Sequence, residues 1–249
     1  MEQGQSSGLP GGGQFNATRW TLVLTAARGT ATTQATRALE ELCRTYWYPL
    51  YAFVRRSGHD RHTAEDLTQD FFARLLAKHY LAEVDRTKGK FRSFLLASLK
   101  HFLANEWDKV RAQKRGGGAQ NFTSFDAKSA ETRYALEPAD PQTAEKAFER
   151  NWALTLLDEV FRRVRKEYAA EDKTALFEEL KATLTGEKGA TPYAESAARL
   201  GMSEGAVKVA AHRLRHRYRD ALRAEIAETV AGPEEVDDEL RHLFAALSG

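Results

Sequence analysis

Between Ser203 and Arg217 the side chains sort by helical spacing into two faces. Val207, Ala210, Ala211 and Leu214 take one; Glu204, Lys208, His212, Arg213 and Arg215 take the opposite one. Cationic and hydrogen-bonding tips set along one helix do not make or break bonds. They suit a regular array of phosphates and base edges. Ser203 stands where an N-cap belongs, and Gly205 near the helix start would let the backbone come close to a duplex.

A short helix must precede this one and turn the chain onto it. Thr191-Pro192 provides a cap followed by a first-turn proline, and Ala194, Ala197, Ala198 and Leu200 form a small-residue face. Gly201 supplies the residue able to take positive φ at the helix end, and Met202 fills the angle between the two helices. Helix, glycine turn and basic second helix are the parts of a helix-turn-helix, whose second helix enters the major groove. An ordinary hairpin with a solvated charged face is the plainer alternative, but it does not require all these features in one span.

Other chemistries find no support. His212 and His216, four apart, have no acidic partner on that face for a metal, and Arg213, Arg215 and Arg217 beside them favour phosphate. The run Thr185-Gly186-Glu187-Lys188-Gly189 does not meet the order of a phosphate-binding loop. Glu65 and Asp66 sit at an exposed helix start rather than in a cleft. The chain is therefore expected to be no enzyme and to need no cofactor or metal.

The rest of the chain repeats apolar residues every three or four positions, with no lasting alternation, so the expected fold is all-α. Leu39, Leu42, Cys43, Tyr46, Leu50, Phe53 and Val54 mark a helix over 33–56 that Pro49 should kink or divide. Thr18–Ala27 is a short first helix. Thr63 caps a helix that buries Leu67, Phe71, Leu75 and Leu76, with Asp66 completing a capping box, and a turn covers 85–90. A long helix carries the stripe Phe91, Phe94, Leu95, Leu99, Phe102, Leu103, Trp107, Val110, which places Trp107 in the core; a platform for stacking bases is the alternative. After Gly116-Gly117-Gly118 the periodicity stops until Phe148, Trp152, Leu156, Val160 and Val164. A further helix is expected around Leu176, Leu180 and Leu184.

The expected organisation is a disordered tail (1–14), a helical domain (15–115), a flexible linker (116–143), a helix-turn-helix domain (144–230) and a C-terminal helical extension (231–249). In the extension Val236, Leu240, Leu243, Phe244 and Leu247 form one apolar face. It is expected to pack on the second domain. The alternative is a regulatory arm whose acids, Glu234, Glu235, Asp237, Asp238 and Glu239, compete with DNA for the basic helix.

The net charge of +2 conceals basic blocks at 109–115 and 208–223 and acidic ones at 66–70 and 225–239, which implies two kinds of partner surface. No apolar run is long enough to span a membrane, and Met1–Gln14 lacks the basic start and apolar core of a signal peptide. Cys43, the single cysteine, rules out an internal disulfide and reads as a buried small hydrophobe. A cytoplasmic location is expected.

Three stretches together resemble extracytoplasmic-function (ECF) sigma factors of the sigma-70 superfamily, in a longer subgroup with a C-terminal extension. YAESAARLGMSEGAVKVAAHRLRHRYR is similar to their fourth conserved region, HTAEDLTQDFFARLL to their second, and FRSFLLASLKHFLANEWDKVRAQKRGG to the part that opens the promoter. The resemblance implies that the chain binds core RNA polymerase and directs initiation at promoters with −10 and −35 elements. It implies that Asp66, Gln69, Asp70 and Ala73, on one helix face, grip the clamp of the largest subunit, where arginines meet carboxylates. Asn105, Asp108, Arg111, Lys114 and Arg115 would melt and hold the −10 element. Ser203, Glu204, Gly205, Lys208, His212, Arg213 and Arg215 would read the −35 element. The polymerase flap is a second contact, and an anti-sigma protein or other regulator a further partner. An autonomous helix-turn-helix regulator is the rival reading; it requires a dimer interface for paired half-sites.

Overall fold

A computed structural model of the chain describes residues 33–76, 90–112, 127–135, 143–185, 191–230 and 232–248. The tail, the Thr18–Ala27 helix, the turn residues 85–89, Lys114, Arg115 and the loop 186–190 lie outside the described residues. Every described element is helical.

Helix α1 (Thr33–Arg56) is the centre of the molecule. Residues 45–54 are all buried, so this half is covered on every side, as its density of Tyr, Trp, Phe and Leu demands. Pro49 withholds one backbone donor, yet the helix runs through it undivided. The surrounding packing holds the segment helical where propensity alone would break it. Around α1 lie α2 (Arg61–Leu76), α3 (Phe91–Ala112), α4 (Ala127–Ala135) and α5 (Ala144–Ala170). Cys43 is buried here, and burial, with Glu40's charge adding, pushes its thiol up to about 12.

The start of α2 differs from expectation. Asp60 is the cap: its carboxylate accepts from the Thr63 backbone N–H at 3.1 Å and from the Thr63 hydroxyl at 2.6 Å. The helix begins at Arg61, and Thr63 lies inside its first turn.

Helix α5, 27 residues and about 40 Å long, is the keel. Thr143 caps it, accepting from the Lys146 N–H at 3.3 Å. Its run Phe148, Trp152, Leu156, Val160, Val164 is buried throughout. One side of α5 packs on α1, where the Thr45 hydroxyl reaches Glu159 at 2.7 Å; the other carries α9 and α10. The helices on either side of 116–143 thus share one core.

Within 116–143 the structure contains α4, which apolar periodicity does not announce. Ala130 is buried, and Tyr134 packs edge-on to Tyr51 at 6.4 Å. Glu131 accepts from the Tyr51 hydroxyl and from Arg55, and Arg133 lies 4.0 Å over the Tyr48 ring. Burial works to raise the Glu131 pKa. The hydrogen bonds from Tyr51 and Arg55, with the charge of Arg55, outweigh it and hold the carboxyl below its usual 4.5. A depressed carboxyl pKa contributes stability above the unfolded value and loses it as pH falls through the folded one. Hydrogen exchange should therefore find α4 losing protection once the pH drops below 4.5. Undiminished protection far below that range would mean that this carboxylate does not hold the helix.

The second half continues with α6 (Thr174–Leu180), α7 (Ala182–Thr185), α8 (Tyr193–Leu200) and α9 (Glu204–Ala227). The helix expected around Leu176, Leu180 and Leu184 is thus two pieces broken at Lys181. A 3₁₀ turn at Pro233–Glu235 leads into α10 (Val236–Ser248), which lies on α5 and α9 with Val236, Glu239 and Leu243 buried. Packing on the second half is what the extension does. Its acids reach the basic helix at the exposed pair Asp237–Arg223, 2.5 Å, while Glu239 turns into the core.

Candidate nucleic-acid interface

Gly201 ends α8 in the left-handed conformation (φ 62°, ψ 33°), and the Met202 N–H closes back on the Ala197 carbonyl at 3.0 Å. Any residue with a Cβ would be strained at that φ. Ser203 then caps α9, its hydroxyl accepting from the Ala206 N–H at 3.2 Å. Val207, Ala211 and Leu214 are fully buried and Met202 is half-buried, so α9 is seated firmly against α8. Two local details differ. Pro192 occupies the cap position itself, one residue later than the Thr191 expected there, and Ser196 and Ala197 are the small residues buried on α8, while Ala194 and Ala198 are exposed. Glu179 of α6 fastens α8, accepting from Ser196 at 2.9 Å and pairing with Arg199 at 3.2 Å.

This seating leaves Ser203, Glu204, Gly205, Lys208, His212, Arg213 and Arg215 all exposed on α9. Lys208 pairs with Glu204 at 2.7 Å; that hydrogen bond and charge raise its pKa, keeping it cationic. The His212 and His216 rings stand 4.4 Å apart, and Arg219 donates to His216 at 2.7 Å. Val209, half exposed in the middle of the same face, escaped the sequence reading, which looked for charge. An exposed valine there suits the methyl group of thymine. Arg217, grouped by sequence with the phosphate-facing arginines, turns away. It pairs with Glu167 at 2.9 Å and Glu171 at 2.7 Å on α5 and lies over Tyr168.

At the end of α3 the expectation for Trp107 fails: it is 62% exposed. Steps of four residues advance about 40° around a helix, so an apolar run taken four at a time walks off the buried face. Phe91, Leu95, Leu99 and Phe102 are buried; Leu103 is half-buried and Trp107 is out. Asn105 is half-buried with its Nδ2 3.1 Å from His101 Nδ1. Asp108 and Arg111 follow on the last turns of α3.

On α2, Asp66 and Asp70 are exposed and Gln69 and Ala73 half-buried, opposite the buried Phe71 and Leu75. Arg74 bridges to Glu106 of α3 at 2.7 Å and lies over Phe102, tying this face to the helix that carries Trp107. Glu106, unremarked in the sequence, thereby joins the acidic group. The Asp70 pKa is raised by burial first, then by the charges of Glu106 and Asp66, against which Arg74 acts alone. Burial is what chiefly disfavours the ionised Asp70, and a cation arriving from outside would favour that form.

The three surfaces are held by one core: α2 and α3 by packing on α1, and α9 by packing on α5. Residues 42–114, from within α1 to the end of α3, match the family described as Sigma-70 region 2. No curated protein and no solved structure matches the chain.

Proposed function

Because the chain carries a sigma-70 region 2 domain, we propose that it is a sigma factor of the extracytoplasmic-function type that binds core RNA polymerase and directs promoter-specific initiation. The observation that carries this reading is the pairing, in one chain, of the region 2 match at 42–114 with two helices joined at Gly201, the second basic and exposed, at 193–227. Region 2 supports polymerase binding and promoter melting; the second motif supplies a grip on duplex DNA.

In this reading Asp66, Gln69, Asp70 and Ala73 meet the arginines of the polymerase clamp. The end of α3, with Asn105, Asp108 and Arg111 followed by Lys114 and Arg115, takes the melted −10 strand. The exposed Trp107 gives an unstacked base a flat surface, a contribution of about 1–3 kcal/mol per base. On α9, Ser203, Glu204, Gly205, Lys208 and His212 face base edges of the −35 element, and Arg213 and Arg215 its phosphates. The polymerase performs the chemistry. The flap of the polymerase and a regulator of anti-sigma type are further partners, and the site of action is the cytoplasm.

Addition of the purified chain to core polymerase is expected to give initiation at specific promoters. Tight binding to promoters by the chain alone, without initiation, would identify an autonomous regulator instead. Trp107→Ala should leave stability within about 0.5 kcal/mol, as for surface positions. It should nevertheless slow strand opening, read as permanganate reactivity of unpaired thymines, by about tenfold. Normal opening in that variant would remove Trp107 from the reading.

A further inference from the structure

A groove of about 660 Å³ lies between α5, α9 and α10, beside the face of α9 described above. Leu154, Leu157 and Phe161 of α5, Leu222 of α9, and Leu240 and Phe244 of α10 give it apolar walls. Leu222 is buried, whereas Phe244 leaves much of its ring open to water. The volume falls within the range of about 300–1,000 Å³ that takes a small molecule. Arg215, Arg219 and Arg223 line the groove at steps of four along α9, with Asp158 of α5. Two of these four charges are already met: Arg223 pairs with Asp237 at 2.5 Å, and Asp158 with Arg162 at 3.1 Å. The Tyr218 hydroxyl, also in the groove, donates to the Leu157 carbonyl at 3.1 Å. Burial, with the charge of Asp158 adding, pushes that hydroxyl up to about 12, so it stays neutral. Arg219 reaches the His216 ring at 2.7 Å, and among the described residues neither Arg219 nor Arg215 meets a carboxylate. Two arginines short of an anion therefore stand beside an apolar hollow.

That combination selects its occupant. A neutral apolar molecule would leave both guanidinium groups without an anion, and a bare anion would leave the apolar walls in water. A carboxylate on a hydrocarbon body satisfies both, because the guanidinium fork holds a carboxylate through two N–H donors. Walls on three helices enclose a single molecule, whereas the flat face of a bilayer cannot enter between them. We propose that this groove binds one free amphipathic carboxylate of the fatty-acid class, its chain against Phe161, Leu222 and Phe244 and its head on Arg219 and Arg215. Arg215 also faces promoter phosphates in the reading above, so an occupied groove draws that cation away from DNA. The groove rests on the structure alone; its effect on DNA rests on that reading.

Isothermal titration of the full chain with dodecanoate, kept below its micelle concentration, should saturate at one molecule per chain. Dodecyltrimethylammonium, the same hydrocarbon with a cationic head, should not bind. Arg219→Gln and Phe244→Ala, both at exposed positions, should each weaken dodecanoate binding about tenfold with circular dichroism unchanged. At fixed salt, dodecanoate that fills the groove should weaken promoter binding by the chain with core polymerase about threefold. No saturable uptake, many molecules per chain, equal binding of the ammonium, or titrations unchanged in both variants would each overturn the site. Phosphatidylglycerol vesicles that hold the chain while free dodecanoate does not would overturn it in favour of a membrane surface. Dodecanoate that fills the groove yet leaves promoter binding unchanged keeps the site and removes its hold on DNA. A chain that takes up dodecanoate but gives core polymerase no promoter binding keeps the site and dismisses the sigma reading.

Discussion

Asp70→Arg is expected to weaken binding to core polymerase by about a hundredfold or more while the protein stays folded, the penalty for reversing one partner of a close charge pair. Asp70 is exposed, one turn from Arg74 and within the field of Glu106 and Asp66. Its carboxyl is raised above 3.8, chiefly by burial and then by those two acids. A carboxyl raised in the fold contributes stability while protonated, and that contribution is lost as pH rises through the folded pKa. At neutral pH the ionised group is thus a small burden to the isolated chain and an asset only to a cationic partner. Asp70→Asn should accordingly leave thermal stability equal or slightly higher while still weakening polymerase binding. In Asp70→Arg the new cation lies four residues from Arg74, a like-charge pair that costs a few tenths of a kcal/mol. Pull-down with core polymerase, alongside a thermal melt, separates the two effects; retained binding in a folded Asp70→Arg variant would dismiss the α2 face.

Trp152→Ala should destabilise the fold by about 3–5 kcal/mol, the usual cost of emptying a large aromatic site in a closed core. Trp152 is fully buried on α5, beneath the Arg92 guanidinium and 6.2 Å from the His242 ring. Its loss opens a cavity and also strips the apolar support from a buried cation. Urea denaturation of the full chain measures the change, with Trp107→Ala as the matched control that removes the same indole from the surface. A loss below about 1 kcal/mol for Trp152→Ala would mean that α1 and α5 are not packed around it.

Much of this arrangement is local, and local features are legible in a sequence. Gly201, Ser203 and the series Val207, Ala211, Leu214 specify a turn, a cap and a seated helix between positions 201 and 214, and the structure forms all three. The four-step run from Phe148 to Val164 stays buried because α5 has neighbours on both sides, so the drift around its axis carries no residue into water. The same drift on α3 exposes Trp107, since neighbours there cover one side only. Helix α4 was illegible for another reason: nine residues are too few to show a period, and its hold on α1 comes from Glu131 and Arg133, which read as solvent-facing charges. Arg217 and Glu239 were misjudged alike, because what neutralises them lies 46 to 149 residues away in the chain.

The exposure of Trp107 also makes it an optical probe. An indole in water emits at longer wavelength than one enclosed in a core, and among the described tryptophans collisional quenchers reach Trp107 first, since Trp47 and Trp152 are enclosed. A nucleobase laid on that ring would shield it from solvent and quench it by contact. The protein therefore carries, at the very position proposed to receive a strand, an intrinsic fluorophore that reports the moment of capture without any label.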